Sequence, residues 1–216
     1  MTTTTPLPLP AWPASSGITF RRYGGLRDVA GMGEANARLR AHVGPLEPID
    51  LDAMRHRYTH LVNCDPLVDC ILAERDGITV GYGRVEWHDL NDGDRIYDIT
   101  SVVEPSAWGL GIAEALVGWS EDRLREVAEA NPTDRRSWFA VHVFDGDEEQ
   151  ERASLARGYT AVRWGAEMLR PDLEHVDEPR LPDGYVLRSP REEELPSVFQ
   201  MQVEAFAEHW GQAQAD

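Results

Sequence analysis

The sequence predicts a mixed α/β domain with a mostly antiparallel sheet flanked by helices. Three observations carry that expectation. Strand-like runs at 69–75, 78–88 and 95–105 follow one another through tight turns, the pattern of antiparallel neighbours. The third run passes through a glycine-bearing loop into a long apolar-faced helix at about 109–129. Beyond that helix the chain alternates strand, helix and strand, which makes the layout a mixed α/β one.

Taken in order, ITFRRY (18–23) reads as a short strand, and 26–43 as a helix with Leu26, Val29, Met32 and Leu39 near helical spacing. Pro45 and Pro48 close it. Asp50 opens a second helix, expected to reach Val62, as its N-cap. Asp76-Gly77 joins the next two strands as a hairpin, and Asn91-Asp92-Gly93 turns the chain before the strand at 95–105. SWFAVHVF (137–144) reads as a strand, 147–157 as a helix with Gly158 as its C-cap, and TAVRWGAEML (160–169) as the last strand.

Composition narrows the partners. The 216 residues carry a net charge of −17, which repels phosphate backbones and anionic lipid, so nucleic acid and membrane surfaces are not expected partners. Every one of the 21 basic residues is arginine, which excludes a lysine Schiff base or lysine general base from this chain. Cys64 and Cys70 fit no paired metal or redox spacing and read as reduced thiols of a cytoplasmic protein. No metal ligand set is predicted. The first 16 residues lack the charged and apolar regions of a signal peptide, and their Thr and Pro content reads as a floppy or polyproline-like leader.

The chemistry-bearing segment runs from Val102 to Leu116. A strand ends at Pro105, glycines follow, and a helix begins. Glycines let backbone N–H groups approach an anion, and the helix start adds unpaired donors and a positive dipole end. The loop lacks the Gly-Lys-Ser/Thr of a Walker motif, and its antiparallel surroundings do not suit a dinucleotide fingerprint. Val103-Glu104-Pro105 followed by Trp108-Gly109-Leu110-Gly111-Ile112-Ala113, with Gly158-Tyr159 further on, resembles the GNAT N-acetyltransferase superfamily over residues 17–170.

That resemblance implies an acyl-CoA N-acyltransferase fold, acetyl-CoA as cosubstrate and a small-molecule primary amine as acceptor. It implies that Ser101, Val102 and Val103 pair with the pantetheine arm. It places the pyrophosphate on Trp108, Gly109, Leu110, Gly111, Ile112 and Ala113. It also marks Glu86 and Asp98 as candidates for the base that deprotonates the amine. Two positions depart from the pattern: Trp108 replaces an arginine or glutamine, and Ser154 stands where a tyrosine often protonates the leaving thiolate. Serine is a poor general acid, which points to a domain that binds cofactor without efficient chemistry. A non-catalytic acyl-CoA-binding or structural module is therefore the alternative. His142 reads as a structural histidine before a base, and the acidic run 145–151 as a solvated helix start.

After a polar, proline-bearing linker at 172–183 the pattern restarts. Gly17-Ile-Thr-Phe-Arg is echoed by Gly184-Tyr-Val-Leu-Arg, and His42-Val43-Gly44 by His209-Trp210-Gly211, both at a spacing of 167 residues. Residues 184–216 thus look like the opening of a second domain, truncated, of the tandem GNAT type that includes mycothiol synthase-like proteins. Phe199, Val203, Phe206 and Trp210 would give the new helix an apolar face that needs burial, by docking on the first domain or by a homodimer contact.

Overall fold

The computed structural model describes residues 7–12, 16–44, 47–166, 168, 170, 172, 174 and 180–208. Its centre is a five-stranded sheet in the order β1 (Ile18–Arg22), β2 (Cys70–Arg75), β3 (Ile78–Asp89), β4 (Arg95–Val103) and β5 (Ser137–Val141). The first four pair antiparallel, and β5 joins β4 in parallel. The β2–β3 hairpin turns through Asp76 and Gly77, both at positive φ, as the Asp-Gly pair predicts.

Alternate residues of each strand serve opposite faces. On one face Cys70, Leu72, Tyr82 and Val102 pack under Val29, Met32 and Leu39 of α1 (Val29–Val43) and Tyr58 of α2 (Leu51–Thr59). On the other, Ile71, Ala73, Val85, Ile99 and Val103 pack under α4 (Ile112–Ala130). The helix α5 (Glu148–Ala156) joins this second layer through Ala153.

Local signals place the helix starts. Asp50 accepts from the N–H groups of Asp52 and Ala53 at 2.9 and 3.0 Å. Asp50→Ala is therefore expected to lower stability by about 1 kcal/mol, read as a shift in the denaturant midpoint at unchanged slope. The short α3 (Pro66–Asp69) was not expected; Asp65 caps it by accepting from Leu67 N, with proline in its first turn. Asp147 caps α5 by accepting from Gln150 N, and it and Glu149 are buried, so the acidic run is not simply solvated.

Three expectations are corrected. Residues 160–166 form no strand and are exposed, with Trp164 at 80 %. Strand propensity expresses what a segment can pack against, and β5 is short and half-exposed, so it offers little buried area to a sixth strand. Positions 167 and 169 of that expected strand lie outside the described residues. Leader residues 7–12 are not floppy: Leu7, Leu9 and Trp12 pack against the α4 layer. Residues 1–6 and 13–15 lie outside the described residues. In the tail, α6 (Leu195–Ala205) forms as expected, but residues 185–190 make no strand and Phe199 and Met201 stay exposed. Asn91 Nδ2 does donate to Ala207 O at 3.5 Å, but the apolar side of α6 is not docked. His209-Trp210-Gly211 lies outside the described residues.

Candidate active site

β4 ends in a 3-10 turn, Pro105–Ala107, and the chain then swings through Gly109 and Gly111 into α4. Both glycines hold left-handed conformations, φ 75° and 78°, which residues with a Cβ reach only under strain. Gly111 is the N-cap of α4 and supplies no side chain to cap it. Among the described residues, none of the backbone N–H groups from Gly109 to Glu114 donates to a protein acceptor, while Ala115 N already bonds Gly111 O. Nothing lies within 4 Å of a Cβ built on Gly109. Unpaired donors at the positive end of a 19-residue helix, open at Gly109 and faced by Trp12 at Gly111, have the chemistry that suits an anion.

Trp108, expected at this anion site, turns inward instead. Its indole Nε1 donates to Val103 O at 3.0 Å, and its ring meets His42 edge-on at 4.8 Å. The tryptophan is thus a packing residue between the two layers, and the cradle rests on Gly109, Leu110, Gly111, Ile112 and Ala113.

The pairing of β4 with β5 stops at Ile99 opposite Val141, whereas its pairing with β3 continues to Val103. The stretch Thr100–Val103 therefore has a strand neighbour on one side only. Ser101, Val102 and Val103 are all buried here, and Ser101 Oγ has no hydrogen-bond partner. This one-sided edge leads directly into the cradle.

Glu86 and Asp98 stand opposite each other across β3 and β4. Their environments differ. Arg84, with 3 % of its side chain exposed, makes a two-pronged bond to Glu86 at 2.8 and 3.0 Å. Burial pushes the Glu86 carboxyl up, but neighbouring His88, Arg84 and Arg57 outweigh it and hold the group below the usual carboxylate range. His88 is raised in turn, chiefly by Glu86. Asp98 moves the other way. Burial raises its carboxyl, His142 and His88 pull against that, and the negative charge of Glu86 adds to the rise. Asp98 Oδ1 is buried with no partner, and Oδ2 lies 3.9 Å from His142 Nε2. His142, read from the sequence as a structural histidine, is 89 % exposed at the side chain.

Ser154 is buried on α5. Its hydroxyl donates to Gln150 O at 2.8 Å and accepts from Gln150 Nε2 at 3.2 Å. It is thus committed to its own helix. Arg84 and His88 were not singled out from the sequence; their signal was the period of two, which puts residues 84, 86 and 88 of one strand on one face.

Residues 35–137 match the acetyltransferase (GNAT) family model. A mycothiol acetyltransferase from Sanguibacter keddieii is 32 % identical over 180 residues, covering 78 % of this chain. The chain carries a GNAT acetyltransferase domain. It spans about half the length of that curated relative, 52 %. A GCN5-related N-acetyltransferase from Sphaerobacter thermophilus shares the fold of the GNAT domain with a TM-score of 0.58 at 17 % identity, over 72 % of this chain and 46 % of that one. The yncA protein of Salmonella typhimurium, solved with acetyl-CoA, gives 0.51 at 15 % identity, over 68 % of this chain and 82 % of its own. Acetyl-CoA is the cosubstrate of this family. Among the described residues, no helix is long and apolar enough to cross a membrane.

Proposed function

We propose that this GNAT domain seats acetyl-CoA at the start of α4 and transfers its acetyl group to the primary amine of a small molecule. The observation that carries the reading is the run of unpaired N–H groups from Gly109 to Glu114 behind two left-handed glycines. The bound cosubstrate supplies the activated thioester. The chain's own residues supply the rest. The cradle N–H groups hold the diphosphate, and the one-sided edge Ser101–Val103 faces the pantetheine arm and offers a donor near Val103 to the developing oxyanion. Arg84 locks Glu86 as a fixed negative charge, which attracts a cationic amine and raises Asp98. Asp98 then accepts the ammonium proton, the freed amine lone pair attacks the thioester carbonyl carbon, and the carbon–sulfur bond breaks to release CoA as its thiolate.

Asp98→Asn is expected to lower kcat by about 100-fold or more, the ordinary worth of a positioned base, while the KM for acetyl-CoA stays unchanged. The sign of the pH dependence follows from the raised carboxyl. Activity falls as pH drops through that raised value, so the acid limb of kcat/KM lies above the range of an ordinary carboxylate. Thiol release measured against pH with a panel of amines checks this; amine acceptors of the mycothiol type head the panel, on the strength of the curated relative. A variant that keeps full activity and the same acid limb would remove Asp98 from the reaction.

A second reading has its own support. Because the Ser154 hydroxyl is bound within α5, this domain has no evident acid for the departing thiolate there. An acyl-CoA-binding module that does no chemistry would show calorimetric binding of acetyl-CoA without thiol release. The sequence spacing of 167 residues supports residues 184–216 as the opening of a further domain of this kind.

A further inference from the structure

Residues 7–12 cross the α4 layer next to the cradle. Leu7, Pro8 and Pro10 border a hollow of about 180 Å³ with Ala115, Trp119 and Asp122. At the other end Trp12 reaches Gly111: a Cβ built there would meet Trp12 Cη2 at 3.3 Å and Cζ2 at 3.8 Å. The strap therefore runs back along α4 from its third turn to its N-cap. The lengths agree, since five polyproline steps span about 15 Å and the eleven helical steps from Gly111 to Asp122 about 16 Å. Pro8 and Pro10 keep the segment extended.

The two ends of the strap are held differently. At Leu7 the carbonyl accepts from Arg22 Nη2 of β1, and Leu7 and Leu9 sit on the apolar core. At Trp12 no hydrogen bond is recorded: the ring packs on the same apolar core, meets Phe20 edge-on at 5.5 Å and stands over Gly111. An indole brings no acceptor to the N–H groups it approaches, so it leaves those donors unsatisfied where a phosphate would satisfy them. Carboxylate Glu114 Oε2, also buried and unpartnered, lies 4.0 Å from the same point, held from its other oxygen by Arg152.

We propose that residues 7–12 are a gate on the cradle: Trp12 occupies the approach to Gly111, and the diphosphate of a CoA-type nucleotide must displace it to reach the helix start. The inference rests on the cradle reading above. A site closed about nine-tenths of the time binds about tenfold more weakly than the same site held open. Trp12→Ala should recover that factor.

The test is calorimetric titration of free CoA, which cannot turn over, into the whole chain, the Trp12→Ala variant and a Pro10→Gly variant that loosens the strap without touching the ring. The gate predicts binding about tenfold tighter for Trp12→Ala, and tighter also for Pro10→Gly. It further predicts that CoA speeds amide exchange in residues 7–12 of the unaltered chain. Equal or weaker binding by Trp12→Ala, with CoA still bound, overturns the gate alone and makes Trp12 a bystander or a wall of the site. If neither the unaltered chain nor either variant binds CoA, the cradle reading falls and takes the gate with it.

Discussion

Gly109→Asp is expected to abolish CoA binding, by at least about 100-fold. The added carboxylate would stand in the open space before the unpaired N–H groups, where it competes for the donors and repels the diphosphate. Charge-assisted bonds of this kind are worth about 1.5–3 kcal/mol each, and more than one is lost. Gly109 is a cleaner position than Gly111, because a side chain at Gly111 would press on Trp12 as well. Left-handed backbone at Gly109 costs the aspartate about 1 kcal/mol, so the fold should survive with a modestly lowered melting temperature. Calorimetry with CoA and a thermal melt of the same sample separate the two effects. Undiminished binding by a folded variant would place the anion site elsewhere.

Arg84→Met should cost the fold about 3–5 kcal/mol, the largest stability loss expected from a single residue near the site. The pair is buried, Arg84 to 3 % and Glu86 to 9 % of side-chain exposure, and removal of the cation leaves a carboxylate without its two-pronged partner. The loss should depend on pH. In the unaltered chain the Glu86 carboxyl is depressed, so its contribution is present above the unfolded carboxylate range and fades as pH falls through the folded value. In the variant, burial without Arg84 favours the neutral acid, so acidification relieves the penalty. The gap between the two chains should therefore narrow from pH 7 towards the range where unfolded glutamate titrates. Denaturant melts across that interval decide it; a small, pH-independent gap would mean that Arg57 and His88 suffice for Glu86.

What the sequence shows most clearly are features written within a few neighbouring residues. The Asp50 cap, the Asp76-Gly77 hairpin and the glycines of the α4 start each depend on local backbone chemistry. Features set by distant partners are harder to read. Trp108 stands where a phosphate-facing side chain is expected, yet its direction is decided by Val103 O and by His42 on α1. Residues 160–166 have strand-like composition, but a strand exists only with a partner, and the exposed side of β5 gives little reason to pair. The leader misleads through its overall composition: Leu7, Leu9 and Trp12 pack against the α4 layer, a partnership that no local pattern in the segment records. Glu86 and Asp98 are found together, but their opposite environments come from Arg84, whose place on the same face follows from the alternation of β3.

One consequence of the strand pairing concerns how β4 divides its roles. Over Arg95–Ile99, β4 has a strand neighbour on both sides; over Thr100–Val103 it has β3 on one side and, on the other, the Trp108 indole bonded to Val103 O. Asp98, the base of the proposed reaction, stands in the doubly paired portion, while the singly paired portion leads to the glycines proposed to hold the diphosphate. On the proposed function, one strand thereby carries both the base, where it is paired on two sides, and the edge that meets the pantetheine arm, where one side has no strand neighbour.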